Sequence, residues 1–160
     1  MGPMIDRANG TIRLAEDLIL TPGLKHEKIG NYINPAERTQ LAKSHWITPF
    51  TVPSMYGVLE ISLHFRKGIL VALRGSIKSE FGPAQAMIKG RHDGFLTELL
   101  GRPTHEKPVI SSLMDKVFLK GLGQDWPRNL KVLTWDYRWG SVESGVELRD
   151  GIAEFRVNWK

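Results

Sequence analysis

The chain has 160 residues, 41% hydrophobic and 24% charged, the balance of a folded globular protein rather than a disordered one. It contains no cysteine, which excludes disulfides, thiolate metal sites and a cysteine nucleophile. Lys and Arg number 22 against 17 Asp and Glu, a formal charge of +5, yet no long run of cations marks a phosphate-binding tract. At this length the simplest organisation is one domain over residues 1–160. No stretch reaches transmembrane length and no basic segment with an apolar core opens the chain, so the expected location is the cytoplasm, away from membranes.

Taken in order, residues 1–9 are polar and carry no clear pattern. Thr11 to Leu20 is expected as a first strand, stopped by a turn at Thr21-Pro22-Gly23. Leu24 to Tyr32 is compatible with a short helix or a loop. Asn34-Pro35-Ala36-Glu37 has the features of a helix start, with Asn as N-cap, Pro in the first turn and Glu closing a capping box, and predicts a helix to about Lys43. Thr48 to Pro53 reads as a proline-punctuated loop or an edge strand, because proline cannot donate to a ladder.

Leu59, Ile61, Leu63 and Phe65 then alternate with polar residues, Lys67-Gly68 turns the chain, and Ile69, Val71 and Leu73 are expected to return facing the core. After Gly82-Pro83, apolar residues at three- and four-residue spacing (Met87, Ile88, Phe95, Leu96, Leu99, Leu100) predict a helix ended by Gly101, bent or in two pieces because of Gly90 and Gly94. A second helix is expected from Val109 to Leu119, and the segment around Trp126-Pro127 is a connector. The C-terminal stretch has the clearest period of two: Leu133, Trp135, Tyr137 and Trp139 on one face, then Ala153, Phe155, Val157 and Trp159. Asp150-Gly151 between Val146–Arg149 and Ile152–Trp159 predicts a type I′ hairpin. The expected fold is α+β: one mainly antiparallel sheet of about five to six strands packed against one or two helices.

Motifs for chemistry are sparse. No two of the five histidines have the helix spacing of a zinc pair, Gly121-Leu122-Gly123 lacks the rest of a dinucleotide fingerprint, and no nucleophile elbow occurs, so neither a metal nor a cofactor is expected. His92 and Asp93 are adjacent on the helix and point ~100° apart, so they cannot pair with each other. Trp135 to Trp139 interleaves rings with Asp136 and Arg138, but on opposite strand faces, which favours buried rings over a base-stacking platform.

Two patches carry a resemblance. Lys89-x-Arg91-His92-Asp93-x-Phe95-Leu96, closing at Leu100-Gly101, and Tyr137-x-Trp139-Gly140-x-Val142-x-Ser144 followed by Gly151-x-Ala153-x-Phe155-x-Val157-x-Trp159 resemble small bacterial proteins encoded beside polymorphic-toxin or secretion-effector genes and regarded as immunity proteins. The resemblance spans about half of the chain and implies an α+β sheet with a packed helix and a binding role, with no catalytic residue to carry over. The expected function is therefore a non-enzymatic binding protein that neutralises a cognate toxin or effector by occluding it. Its rim would be Arg66, Lys67, Arg74, Arg138 and Arg156, facing an acidic surface. The alternatives are a basic nucleic-acid-binding module and a small hydrolase using His92 and Asp93.

Overall fold

A computed structural model describes residues 4–14, 16, 18–29, 39–42, 45–54, 57–78, 85–109, 117, 129–147 and 151–160, with the strand backbones alone over residues 40–54. Two four-stranded meanders join into an eight-stranded antiparallel sheet. The first is β4 (Thr39–Ala42), β5 (His45–Ser54), β6 (Gly57–Arg66) and β7 (Ile69–Lys78). The second is β8 (His105–Pro108), β9 (Lys131–Tyr137), β10 (Gly140–Glu147) and β11 (Ile152–Trp159). The inner strands β7 and β11 pair, with Val157 opposite Leu73 and Phe155 opposite Gly75. Helix α1 (Gln85–Leu100) leads from β7 towards the far edge at β8 and packs across β7, β11 and β10. A three-stranded sheet of β1 (Met4–Ile5), β2 (Ile12–Arg13) and β3 (Ile19–Leu20) lies against the helix and the same sheet face. The architecture is mainly sheet with a helix packed on it, an α+β fold, with more strands than the periodicity alone indicated.

The inward face carries the alternating residues expected of it. Leu59, Ile61, Leu63, Phe65, Leu73, Trp135, Val142, Phe155 and Val157 are all buried and share one cluster with Phe95 and Leu96 of the helix and Ile5, Ile12 and Leu20 of the small sheet. Phe155 lies directly over Gly75, where an added Cβ would fall 2.2 Å from the ring. A side chain there would displace the Phe155 ring, so Gly75 serves close packing rather than a turn. An apolar cavity of about 20 Å³ lies among Ile5, Ile12, Leu59, Leu73, Phe95 and Phe155.

Several expectations need correction. Thr11 to Leu20 is not one strand but two short ones that pair with each other. Residues 4–5 form a further strand, which the sequence pattern does not show; Asp6 organises the turn after it, accepting from the Ala8 N–H and the Asn9 side chain. Thr39–Ala42 is a strand, so the helix expected to run to Lys43 does not include these residues, and its start lies outside the described residues. In the described part of Leu24 to Tyr32, His26–Ile29 form a 3-10 turn. Between the alternatives for Thr48 to Pro53, the strand is what forms, paired to β6 throughout and to β4 only near its start. Pro49 and Pro53 have the same parity, so both missing donors fall on one side of β5.

On β7 the buried residues include Leu70, Leu73 and Ile77, while Ile69 is exposed and Val71 only half-buried. A bulge at His64/Phe65 pairs Phe65 with Leu70 and shifts the parity just after the turn. The turn itself has both positive φ values of a type I′ hairpin, Lys67 at 51° and Gly68 at 76°. The last hairpin pairs Glu147 with Ile152, a register too wide for a two-residue turn, and the Gly151 N–H donates to the Glu147 carbonyl. A two-residue slip leaves every side chain on its expected face. The second helix, Val109 to Leu119, falls almost wholly outside the described residues. Strand β8, fully exposed at the sheet edge, was not foreseen; its charges and Pro108 hide the period.

Helix α1 is continuous through Gly90 and Gly94, both on its exposed side, and ends with Gly101 at φ 79° donating to the Thr97 carbonyl. Its buried stripe is Ile88, Lys89, His92, Phe95, Leu96 and Leu100, whereas Met87 and Arg91 face outwards. The stripe is rotated from the apolar pattern because a lysine and a histidine occupy core-facing positions.

Candidate functional site

The residues with chemical potential gather where α1 crosses the sheet. The β7–β11 ladder stops at Phe155 and Gly75, two residues short of the position where Ile77 and Ala153 would face each other. Side chains take over there. The Ile77 N–H donates to His92 Nε2 at 2.9 Å, the Ala153 N–H donates to Gln85 Oε1 at 2.8 Å, and Ser76 Oγ donates to the Ala153 carbonyl at 3.0 Å. Backbone groups that would otherwise be buried without partners are thus satisfied by side chains, two of them from the helix.

This arrangement sets the state of His92. The side chain is fully buried, and its pKa is pushed down to about 3, first by burial and then by the positive charge of Lys89. Nε2 accepts a backbone N–H, so the ring is neutral with its proton on Nδ1. That Nδ1 has no hydrogen-bond partner among the described residues; the ring meets Phe155 edge to face at 5.3 Å. A base whose lone pair is committed to a strand N–H is not available to take a substrate proton.

One turn away, Lys89 is also fully buried and pairs with Asp93, and Ser144 Oγ on β10 donates to the same carboxylate oxygen at 2.6 Å. Burial lowers the Lys89 pKa, countered in part by the hydrogen bond and charge of Asp93 and by Glu143. Ser144 is fully buried as well, so its hydroxyl cannot meet a substrate in this state, whereas Asp93 keeps an edge to solvent. The group fastens the helix to β10. As their angular separation on the helix required, His92 and Asp93 do not meet: one reaches β7, the other β10. Lys89, Gln85 and Ser144 were missed as partners, although Lys89 and Asp93 stand at the i,i+4 spacing that brings side chains together.

The five cations chosen from the sequence separate into two sets. Arg74 and Arg156 lie directly opposite each other on the outward face of β7 and β11. Arg156 is ion-paired with Glu147 and Glu154. Burial opposes its charge, but Glu154, then Glu147 and Glu143, outweigh that and raise its pKa. Arg74 is exposed and has no ion pair among the described residues. Ser62, Ala72 and Ser76 surround Arg74 on this face, while Glu143, Glu154 and Asn158 surround Arg156. It is not a basic stripe: Glu60, Asp136, Glu143, Glu147 and Glu154 interleave with Arg66, Arg74, Lys78, Lys107 and Arg156.

Arg66, Lys67 and Arg138 are brought together in a different sense. The β6–β7 turn, the β9–β10 turn and the end of β11 all emerge at one end of the sheet. All three residues are exposed there. Among the described residues, no group of three or more His, Asp or Glu has the geometry to hold a metal ion, and no helix is long and apolar enough to cross a membrane. No family model matches this chain, and no curated protein or solved structure matches it.

Proposed function

We propose that this chain is a binding protein that engages a protein partner through the outward face of its sheet and neutralises it by covering it, the partner being a toxin or effector encoded next to it. The observation that carries this reading is the fixed charge array at the centre of that face. Arg156 is held between Glu147 and Glu154, with Arg74 exposed opposite it among Ser62, Ala72 and Ser76. Charges locked by their neighbours before contact need little ordering on binding and select a complementary surface. The commitment of His92 to the Ile77 N–H, and of Ser144 and Lys89 to Asp93, supports binding over hydrolysis. The inward rings and mixed outward charge support a protein partner over a nucleic acid.

The test is complex formation between the full chain and the product of the adjacent gene, with association and dissociation rates measured for wild type and Arg74→Glu. A complex that suppresses the partner's activity is expected, with association slowed by Arg74→Glu and by salt. Absence of a complex, or unchanged kinetics in the variant, would overturn the reading. Arg156→Glu is a poor probe of binding, because it places a new carboxylate among Glu143, Glu147 and Glu154.

A further inference from the structure

Among the described residues the cations at the two ends of the sheet differ in pairing, Lys107 apart, which is exposed without an ion pair beside Lys131. Lys78 and Lys131, at one end of the sheet, pair with Glu60 and Glu106, and Arg156 and Lys89 are paired further in. At the opposite end Lys25, Arg66, Lys67, Arg138 and Lys160 are all exposed and have no ion pair among the described residues. Lys25 bridges to Ile69 beside the β6–β7 turn, and the Lys160 N–H donates to the Trp139 carbonyl in the β9–β10 turn. These two contacts draw the cations into one rim. Among the described residues the acids nearby are fewer: Glu27 stands in the 3-10 turn, and Asp136 is engaged by His105 at 3.0 Å.

The sheet also spaces this rim. Lys67 sits over the midpoint of β6 and β7, Lys160 continues β11, and Arg138 sits over the midpoint of β10 and β9. With strands ~4.8 Å apart, successive anchors lie ~7 Å apart and the outer two ~14 Å. In an extended peptide, side chains at alternate positions on one face are also ~7 Å apart. We infer that this end of the sheet binds an extended acidic segment of a protein partner, with carboxylates at alternate positions meeting Lys67, Lys160 and Arg138. A nucleic-acid strand is disfavoured because the aromatic pair at this end is already used. Trp139 stacks on Tyr137 at 5.0 Å, and Gly10 lies so close to its indole that an added Cβ would fall 2.4 Å from the ring.

The inference rests on the protein-binding reading and adds where the acidic part of the partner docks. The probe is a fluorescent peptide of alternating Glu and Ser, compared with a block peptide of the same composition and with an oligothymidylate of equal charge. Fluorescence anisotropy with the full chain reads affinity at low and at moderate salt. The alternating peptide is expected to bind best, and Lys67→Asn, Arg138→Gln and Lys160→Gln are each expected to weaken it roughly threefold to tenfold. Asn suits the left-handed backbone at position 67. Lys78→Gln and Lys131→Gln remove the same charge at the other end and are expected to change little. Equal losses from those two variants, equal binding of the block peptide, tighter binding of the oligothymidylate, or no binding would each overturn the inference. If the adjacent gene product binds and the rim variants bind it normally, the rim fails alone. If the peptide binds and that gene product does not, the functional reading fails alone.

Discussion

Two joints hold this fold together, and they solve the same problem with different chemistry. At the joint between α1 and the sheet, backbone and side-chain groups are satisfied by Gln85, His92 and the Lys89–Asp93–Ser144 group, several of them titratable. At the joint between the small N-terminal sheet and the rest, the fasteners are indoles. Trp139 Nε1 donates to the Arg7 carbonyl and Trp159 Nε1 to the Gly10 carbonyl, each at 2.9 Å, while the Arg7 guanidinium caps the Leu99 carbonyl at the end of the helix. An indole N–H never changes charge, so the second joint is indifferent to pH. The first places ionisable groups under apolar cover and makes stability depend on their state.

The largest effect that separates the joints is expected at Asp93. Asp93→Ala leaves the fully buried Lys89 ammonium without its partner and should cost ~3–5 kcal/mol, read as a fall in the denaturation midpoint. Lys89→Met removes the charge and keeps the volume, leaves Asp93 with Ser144, and should stay within ~1 kcal/mol of wild type. If both variants destabilise equally, the buried lysine contributes through its charge and the contrast is lost.

His92 comes next. His92→Leu keeps bulk against Phe155 but strips the acceptor from the Ile77 N–H, for an expected ~1–3 kcal/mol. Its folded pKa of about 3 lies below the ordinary 6.5, so below pH 6.5 the unfolded chain binds a proton that the folded one does not. Stability from this group is therefore complete above pH 6.5 and falls as pH drops towards 3, by up to ~1.4 kcal/mol per pH unit. Urea unfolding across that window should show a shallower slope in His92→Leu than in wild type. Equal slopes would mean that His92 is not the group titrating.

Smaller effects are expected at the indole joint. Trp159→Phe loses the bond to Gly10 and should cost ~1 kcal/mol, with faster hydrogen exchange in residues 4–14 and little change in β9 to β11. Exchange quickening uniformly over the whole chain would show that the small sheet is not a separately fastened unit. Smallest are Gly90→Ala and Gly94→Ala on the exposed side of the helix, where an added Cβ meets nothing within 4 Å. Each should stabilise by ~0.5–1 kcal/mol, visible as a higher melting temperature.

Alternation of side chains by itself determined which residues of β6, β9 and β11 face inwards, though not the register of the last hairpin, because a strand's period of two follows from backbone geometry and needs no partner to be read. The Lys67-Gly68 turn and the Gly101 helix end were legible for a similar reason: left-handed backbone restricts the residue type locally. Only the tertiary structure decided the rest. Thr39–Ala42 became a strand because β5 offers it a ladder, and the bulge beside His64 chose Leu70 over Ile69 for the core. Lys89 and His92 lie on the buried side of α1 because their partners, Asp93 and the Ile77 N–H, are present there, which no apolar pattern reveals. Arg156 and Arg138 look equivalent in the sequence. The fold places one within a carboxylate cluster and the other at an open turn, since the environment of a charge is set by what pairing and register bring beside it.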